Sequence, residues 1–127
     1  MGISDYLYSE FDSDIVEEFL MLLDVLEDNM DLTIESLYQD SESLNDLFRM
    51  FHNLKSASGF LKLKRIQIFA HFVEDILQEA RDKNKITEEL IDWLFKVSNQ
   101  FHIWYRNITN NEELAPLQKE IFKILKL

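Results

Sequence analysis

A chain of 127 residues is long enough for one domain with a real core, and an apolar fraction of 46% with ten Phe describes a folded protein. The net charge of −11, from 13 Lys and Arg against 24 Asp and Glu, repels nucleic acid and anionic membrane surfaces, so neither is an expected partner. With no Cys, disulfides, thiolate nucleophiles and cysteine metal sites are excluded.

Only two Gly and one Pro are present, so turns are few and long helices are the natural reading. No apolar run approaches the roughly 18 residues of a membrane span. The N-terminus lacks the basic and apolar segments of a signal peptide, and Tyr6 stands where an N-myristoylation motif at Gly2 wants Ser or Thr. A cytoplasmic setting is the expectation. Residues 1–12 form an aromatic-containing lead-in with some helical character. Ser13 or Asp14 then offers an N-cap, with Glu17 near the third helical position. The first long helix runs to about residue 39, with Ile15, Phe19, Leu22, Leu23, Leu26, Met30, Ile34 and Leu37 at recurring spacings of three and four. Asp40 to Ser43 is a polar break. A second helix covers about 43–59, with Leu44, Leu47, Phe48, Phe51, Leu54 and Ser58 on one stripe. A third covers about 63–83, turning Ile66, Phe69, Ala70, Val73, Ile76, Leu77 and Ala80 inward. Thr87, Glu88 and Glu89 start a fourth, to about residue 108, whose inner face includes Leu90, Leu94, Val97, Phe101 and Trp104. Asn110 and Asn111 break the chain again. A last helix is expected over about 112–125, with Pro116 tolerable only near its first turn.

Amphipathic helices with short connections imply an all-α fold: an antiparallel four-helix bundle with an additional C-terminal helix, as a single domain over 1–127. The stripes are wider than a coiled-coil seam, so a globular monomer is expected rather than a rod.

The chemistry concentrates in His52-Asn53-Leu54-Lys55-Ser56-Ala57-Ser58-Gly59 and in His71-Phe72-Val73-Glu74. At about 100° per residue, His52 falls at the edge of the stripe centred on Phe51, with Lys55, Ser56 and Gly59 on the same edge. Glu74 falls at the matching edge of the stripe centred on Val73. The connection lies near Leu61 and Lys62, so His52 and Glu74 sit at similar heights if the two helices pack as a hairpin. His52, Lys55, His71 and Glu74 are therefore expected as one polar group. A carboxylate that accepts from one ring N–H fixes the tautomer and strengthens the other nitrogen as a nucleophile. Lys55 is placed to meet an anion there, and small Ser56 and Gly59 leave the approach open. Nucleophile, orienting carboxylate and cation suit phosphoryl transfer.

These residues resemble the motif of a histidine-containing phosphotransfer domain, nearest to the N-terminal phosphotransfer domain of chemotaxis-type histidine kinases. That subgroup pairs the histidine motif with a downstream His-x-x-Glu, here His71 to Glu74, and a helix end similar to Asp75-Ile76-Leu77-Gln78-Glu79-Ala80-Arg81. The resemblance covers nearly the whole chain. It implies that His52 accepts a phosphoryl group from a histidine kinase catalytic domain or a receiver-domain Asp. His52 then passes it to an Asp of a response regulator receiver domain. It also implies that Glu74 bonds the imidazole N–H while Lys55 and His71 support the site. Ser56 replaces the commoner Gly, and Lys62 stands where a turn glycine is frequent.

Two other readings stand beside this one. A metal-binding bundle would use His52, His71 and Glu74, but such sites want a Glu-x-x-His on each of two helices plus further carboxylates, and no matching second set is present, so no metal is expected. A non-catalytic interaction module would have lost the His or Lys, and both remain. No Gly-rich nucleotide loop exists, so neither a cofactor nor a kinase activity of its own is expected. The chain fits equally a free-standing protein or the first domain of a kinase. His102 has no evident company in sequence and reads as a core-edge or surface residue.

Overall fold

The three- and four-residue apolar spacing becomes five helices in the computed structural model, which describes residues 2–122. They are α1 (Ile3–Glu10), α2 (Ser13–Ser36), α3 (Ser43–Phe60), α4 (Lys64–Asp82) and α5 (Glu88–Thr109), followed by a 3-10 turn at Lys119–Phe122. The described residues contain no strand, and none of their helices is long and apolar enough to cross a membrane. The inward faces are mostly those the spacing marks out, with Val16 buried in addition. Phe51, Phe69 and Trp104 are fully buried, with Phe69 edge-on to Trp104 at 4.9 Å and to Phe51 at 6.0 Å. Ile15, Leu22, Phe48 and Ile76, by contrast, are only half-buried.

α3 and α4 make the most extensive helix pair. They fold back on one another through residues 61–63, which places Gly59 beside Gln67 and Phe51 beside Phe69. The turn is a Schellman motif: the Leu63 N–H donates to Ser58 O at 2.8 Å and the Lys62 N–H to Gly59 O at 3.1 Å. Lys62 takes the left-handed conformation, φ 58°, that glycine adopts without strain. Asn84 (φ 48°) and Asn111 (φ 55°) close α4 and α5 in the same way, with an amide that tolerates it better. A Lys62→Gly variant is therefore expected to be more stable by about 0.5–1 kcal/mol, read as a higher midpoint in urea with an unchanged slope.

Three expectations are corrected. The lead-in is a full helix, α1, pinned to the end of α5. Its Ser4 hydroxyl donates to Ile108 O at 2.6 Å, and Asp5 and Asn111 exchange two bonds at 3.0 Å. Gly2 is needed there because a Cβ would stand 1.8 Å from Asn111 O. The cap of α2 is Asp12 rather than Ser13 or Asp14, and its side chain makes no capping bond. Thr87 does cap α5, accepting from the Leu90 N–H at 3.0 Å.

The expected C-terminal helix is absent over residues 112–118, which run as an extended strap across α5. Side chains claim the backbone groups that a helix would use. Trp104 Nε1 donates to Ala115 O at 2.8 Å, Asn107 accepts from the Ala115 N–H at 2.9 Å, and Gln100 accepts from the Gln118 N–H at 2.7 Å. Arg65 adds bonds to Leu114 O and Ala115 O, and Pro116 has no N–H to give. Trp93 then holds Ile121 O at 2.9 Å inside the 3-10 turn. The remainder of the expected helix lies outside the described residues.

Candidate functional site

α3 carries His52 at the margin of its buried stripe, next to fully buried Phe51, so the imidazole stands 54% exposed on a rigid helix. The turn at 61–63 brings Glu74 of α4 alongside. His52 Nδ1 lies 3.0 Å from Glu74 Oε2, and the ammonium of Lys55 donates to Glu74 Oε1 at 2.7 Å. One carboxylate, 12% exposed, thus engages both residues, one oxygen for each. With Nδ1–H donating to Glu74, the tautomer leaves the lone pair on Nε2, which has no hydrogen-bond partner among the described residues.

Burial pushes the Glu74 carboxyl up. The hydrogen bonds and charges of Lys55 and His52 more than reverse this and hold it below its ordinary value. Glu74 is therefore an anion at neutral pH. The stability it contributes is present above the unfolded carboxylate value and is lost as pH falls through the folded one.

Sequence reasoning did not anticipate the ring behind His52. Phe48, one turn earlier, stacks on the imidazole at 6.3 Å with 12° between planes, and the Arg81 guanidinium lies 4.5 Å from the Phe48 centroid. The four-residue spacing from Phe48 to His52 is the signal that was available. This stack backs one face of the imidazole.

The other expected members are placed differently. His71 pairs with Asp75 at 3.3 Å and makes no bond to His52, Lys55 or Glu74 among the described residues. It borders a shallow groove of about 330 Å³ that Lys55 and Phe122 also line. Ser56 is exposed one turn beyond His52. Gly59 serves another neighbour: a Cβ there would stand 2.6 Å from Gln67 Nε2, two turns away from the imidazole. For metals, His71, Glu74 and Asp75 each offer a donor atom within 4.8 Å of the others, but both Glu74 oxygens are already engaged.

His102 has company that the sequence did not reveal. It bridges α5 to α2, with Nδ1 2.5 Å from Glu27 and Nε2 3.1 Å from Asp31, while buried Ser98 donates to Asp31. Tyr105 donates to Asp24 at 2.5 Å on the same seam, and that bond pushes its hydroxyl up to about 12. Partial burial pulls the His102 imidazolium down, but the bonds and charges of Glu27 and Asp31 raise it overall. A raised folded value contributes stability below the ordinary value of about 6.5, lost as pH rises through the folded value. Melting temperature is accordingly expected to fall as pH rises above about 6.5, and His102→Gln to flatten that slope. Parallel slopes for the two proteins would remove His102 as its source.

Comparison with known proteins follows the same lines. The Hpt domain family model matches residues 13–111. The chemotaxis protein CheA of Borreliella burgdorferi is 34% identical over 95 residues, covering 74% of this chain and 11% of that protein. CheA of Salmonella typhimurium is 36% identical over 81 residues, 64% of this chain and 11% of the relative. The sensor histidine kinase CheAY of Helicobacter pylori is 32% identical over 83 residues, 62% and 10% respectively. The chain thus spans about a tenth of the length of these relatives. No solved structure gives a significant match. With the family pattern aligned over residues 13–111 and the histidine, lysine and glutamate drawn together on α3 and α4, this chain belongs to the Hpt domain family.

Proposed function

We propose that the chain is a phosphoryl relay of two-component signalling, of the chemotaxis type, acting in the cytoplasm. His52 accepts a phosphoryl group from a histidine kinase catalytic domain or a receiver-domain Asp and delivers it to a response regulator Asp. The observation that carries this reading is the His52 imidazole, half exposed, with one nitrogen held by Glu74 and the other open.

In loading, the Nε2 lone pair attacks phosphorus. The N–P bond forms as the P–O bond to the donor breaks, and the donor oxygen leaves with the electron pair. The ring becomes cationic, keeps its Nδ1 proton, and is stabilised by the Glu74 carboxylate. In unloading, a receiver carboxylate attacks, the N–P bond breaks, and neutral imidazole returns. Lys55 has three donors, so it can hold Glu74 and contact a phosphoryl oxygen together. The kinase supplies ATP. Helices α2 to α5 serve as an antiparallel four-helix bundle, a single domain that keeps α3 and α4 in register. Ser56 leaves room for the incoming group, and His71 with Asp75 forms the rim.

Incubation with a kinase or a phosphorylated receiver is expected to give one label, lost in acid, kept in base, and mapped to His52 by mass spectrometry. An acid-stable label, or a label elsewhere, overturns the reading. A Glu74→Ala variant is expected to load about 100-fold more slowly while keeping the parent's helical circular dichroism. An unchanged rate removes Glu74 from the chemistry.

A further inference from the structure

Charge is distributed very unevenly along this chain. Fourteen of the 24 Asp and Glu and none of the 13 Lys and Arg fall in residues 1–48, so that stretch carries −14 and the remainder +3. The first cation is Arg49. Helix α2 lies within this stretch and holds eight carboxylates and no base. Three of the eight are occupied on the seam with α5: Asp24 by Tyr105, Glu27 and Asp31 by His102. The other five, Asp14, Glu17, Glu18, Asp28 and Glu35, have no ion-pair partner among the described residues.

Those five share one side of the helix with an apolar stripe. Met21, Val25 and Leu32 are 67%, 56% and 64% exposed. At 100° per residue these three fall within about 40° of arc, and the five free carboxylates fall within about 60° of Met21 on either side. The buried side chains Phe19, Leu23, Leu26 and Met30 point the opposite way. α2 is therefore amphipathic twice: one face enters the core, and the other shows apolar groups framed by acid along about 30 Å. Solvent alone favours neither large apolar side chains there nor so dense a row of like charges.

We propose that the outer face of α2 docks a basic amphipathic helix of a partner protein, one with apolar side chains along a stripe flanked by Lys or Arg. Charge decides the occupant. A second copy would bring the same −14 stretch against itself, and nucleic acid or an anionic membrane would be repelled. A cationic helix relieves the repulsion while covering Met21, Val25 and Leu32, the helix-on-helix mode of peptide recognition. The surface is separate from the phosphoryl site, because His52 faces α4 whereas this stripe faces away from the core on α2. A docked partner leaves Nε2 open.

The test uses the whole chain and three synthetic helical peptides: Leu/Lys amphipathic, Lys/Ser without the apolar stripe, and Leu/Glu amphipathic. The Leu/Lys peptide is expected to bind with amide shifts confined to the outer face of α2, weakening about tenfold or more between 50 and 500 mM salt. The Lys/Ser peptide should bind at least tenfold more weakly and the Leu/Glu peptide not at all. The triple change Met21→Gln, Val25→Gln and Leu32→Gln keeps helix-forming residues on exposed positions. It should weaken the Leu/Lys peptide about tenfold with an unchanged melting curve and unchanged His52 labelling. Shifts elsewhere, equal binding of Lys/Ser and Leu/Lys, or no effect of the triple variant overturn the proposal. So does a dimer in sedimentation that the triple variant abolishes, which assigns the face to a second copy. Binding of the parent to anionic vesicles through this face assigns it to a membrane and overturns the proposal equally.

Discussion

A His52→Gln variant is expected to load at least about 10³-fold more slowly than the parent, which in a labelling assay is no signal. Glutamine keeps a polar side chain, but its amide nitrogen has no lone pair free to attack phosphorus. The loss is chemical rather than structural. His52 is half exposed, and its departure leaves the buried neighbours Phe51 and Leu54 untouched. Circular dichroism and the urea midpoint should match the parent to within about 0.5 kcal/mol. A variant that loads at even a tenth of the parental rate places the acceptor elsewhere. His71 and His102 are the other two histidines to examine, one paired with Asp75 and the other between Glu27 and Asp31.

The largest loss of stability is expected from Phe69→Ala. The ring is fully buried on α4, edge-on to Trp104 of α5 and to Phe51 of α3. Removing it costs the transfer of the ring from water and leaves a cavity between three helices, about 3–5 kcal/mol in all. Domains of this size are stable by about 5–15 kcal/mol, so the variant sits near the edge of folding. Phe69 lies five residues before Glu74, and Phe51 directly precedes His52. A loosened cluster therefore also slackens the His52–Glu74 bond. Equilibrium unfolding in urea checks the first effect, and a loss of less than about 1 kcal/mol would show that the three rings are not a shared core.

The helices that build the site were readable from the chain because they depend on local spacing. His52 and Glu74 were placed together by helix rotation and a short turn, and they stand 3.0 Å apart. What escaped depends on which helices are neighbours. Glu27 and Asp31 are four residues apart on α2, and His102 is four beyond Ser98 on α5, but only the α2–α5 pairing makes them a cluster. The strap at 112–118 was misread for a related reason. Its apolar periodicity fits a helix, yet the indoles and amides of α5 outcompete the internal hydrogen bonds that a helix would form. Gly59 was assigned to the wrong neighbour, because smallness in sequence does not say which side chain needs the space.

The shared Glu74 carboxylate has a consequence for the loaded state. While the site is empty, its negative charge is divided between an ammonium on one oxygen and an imidazole on the other. A phosphoryl group on Nε2 brings nearly two further negative charges within reach of Lys55. On the proposed loading of His52, the ammonium, with three N–H donors, would serve the phosphoryl oxygens as well as the carboxylate just as the ring turns cationic. The proposed loading would thus find its counter-charge already assembled: one ammonium for the phosphoryl group and one carboxylate for the cationic ring, both carried on side chains that touch before any phosphate arrives.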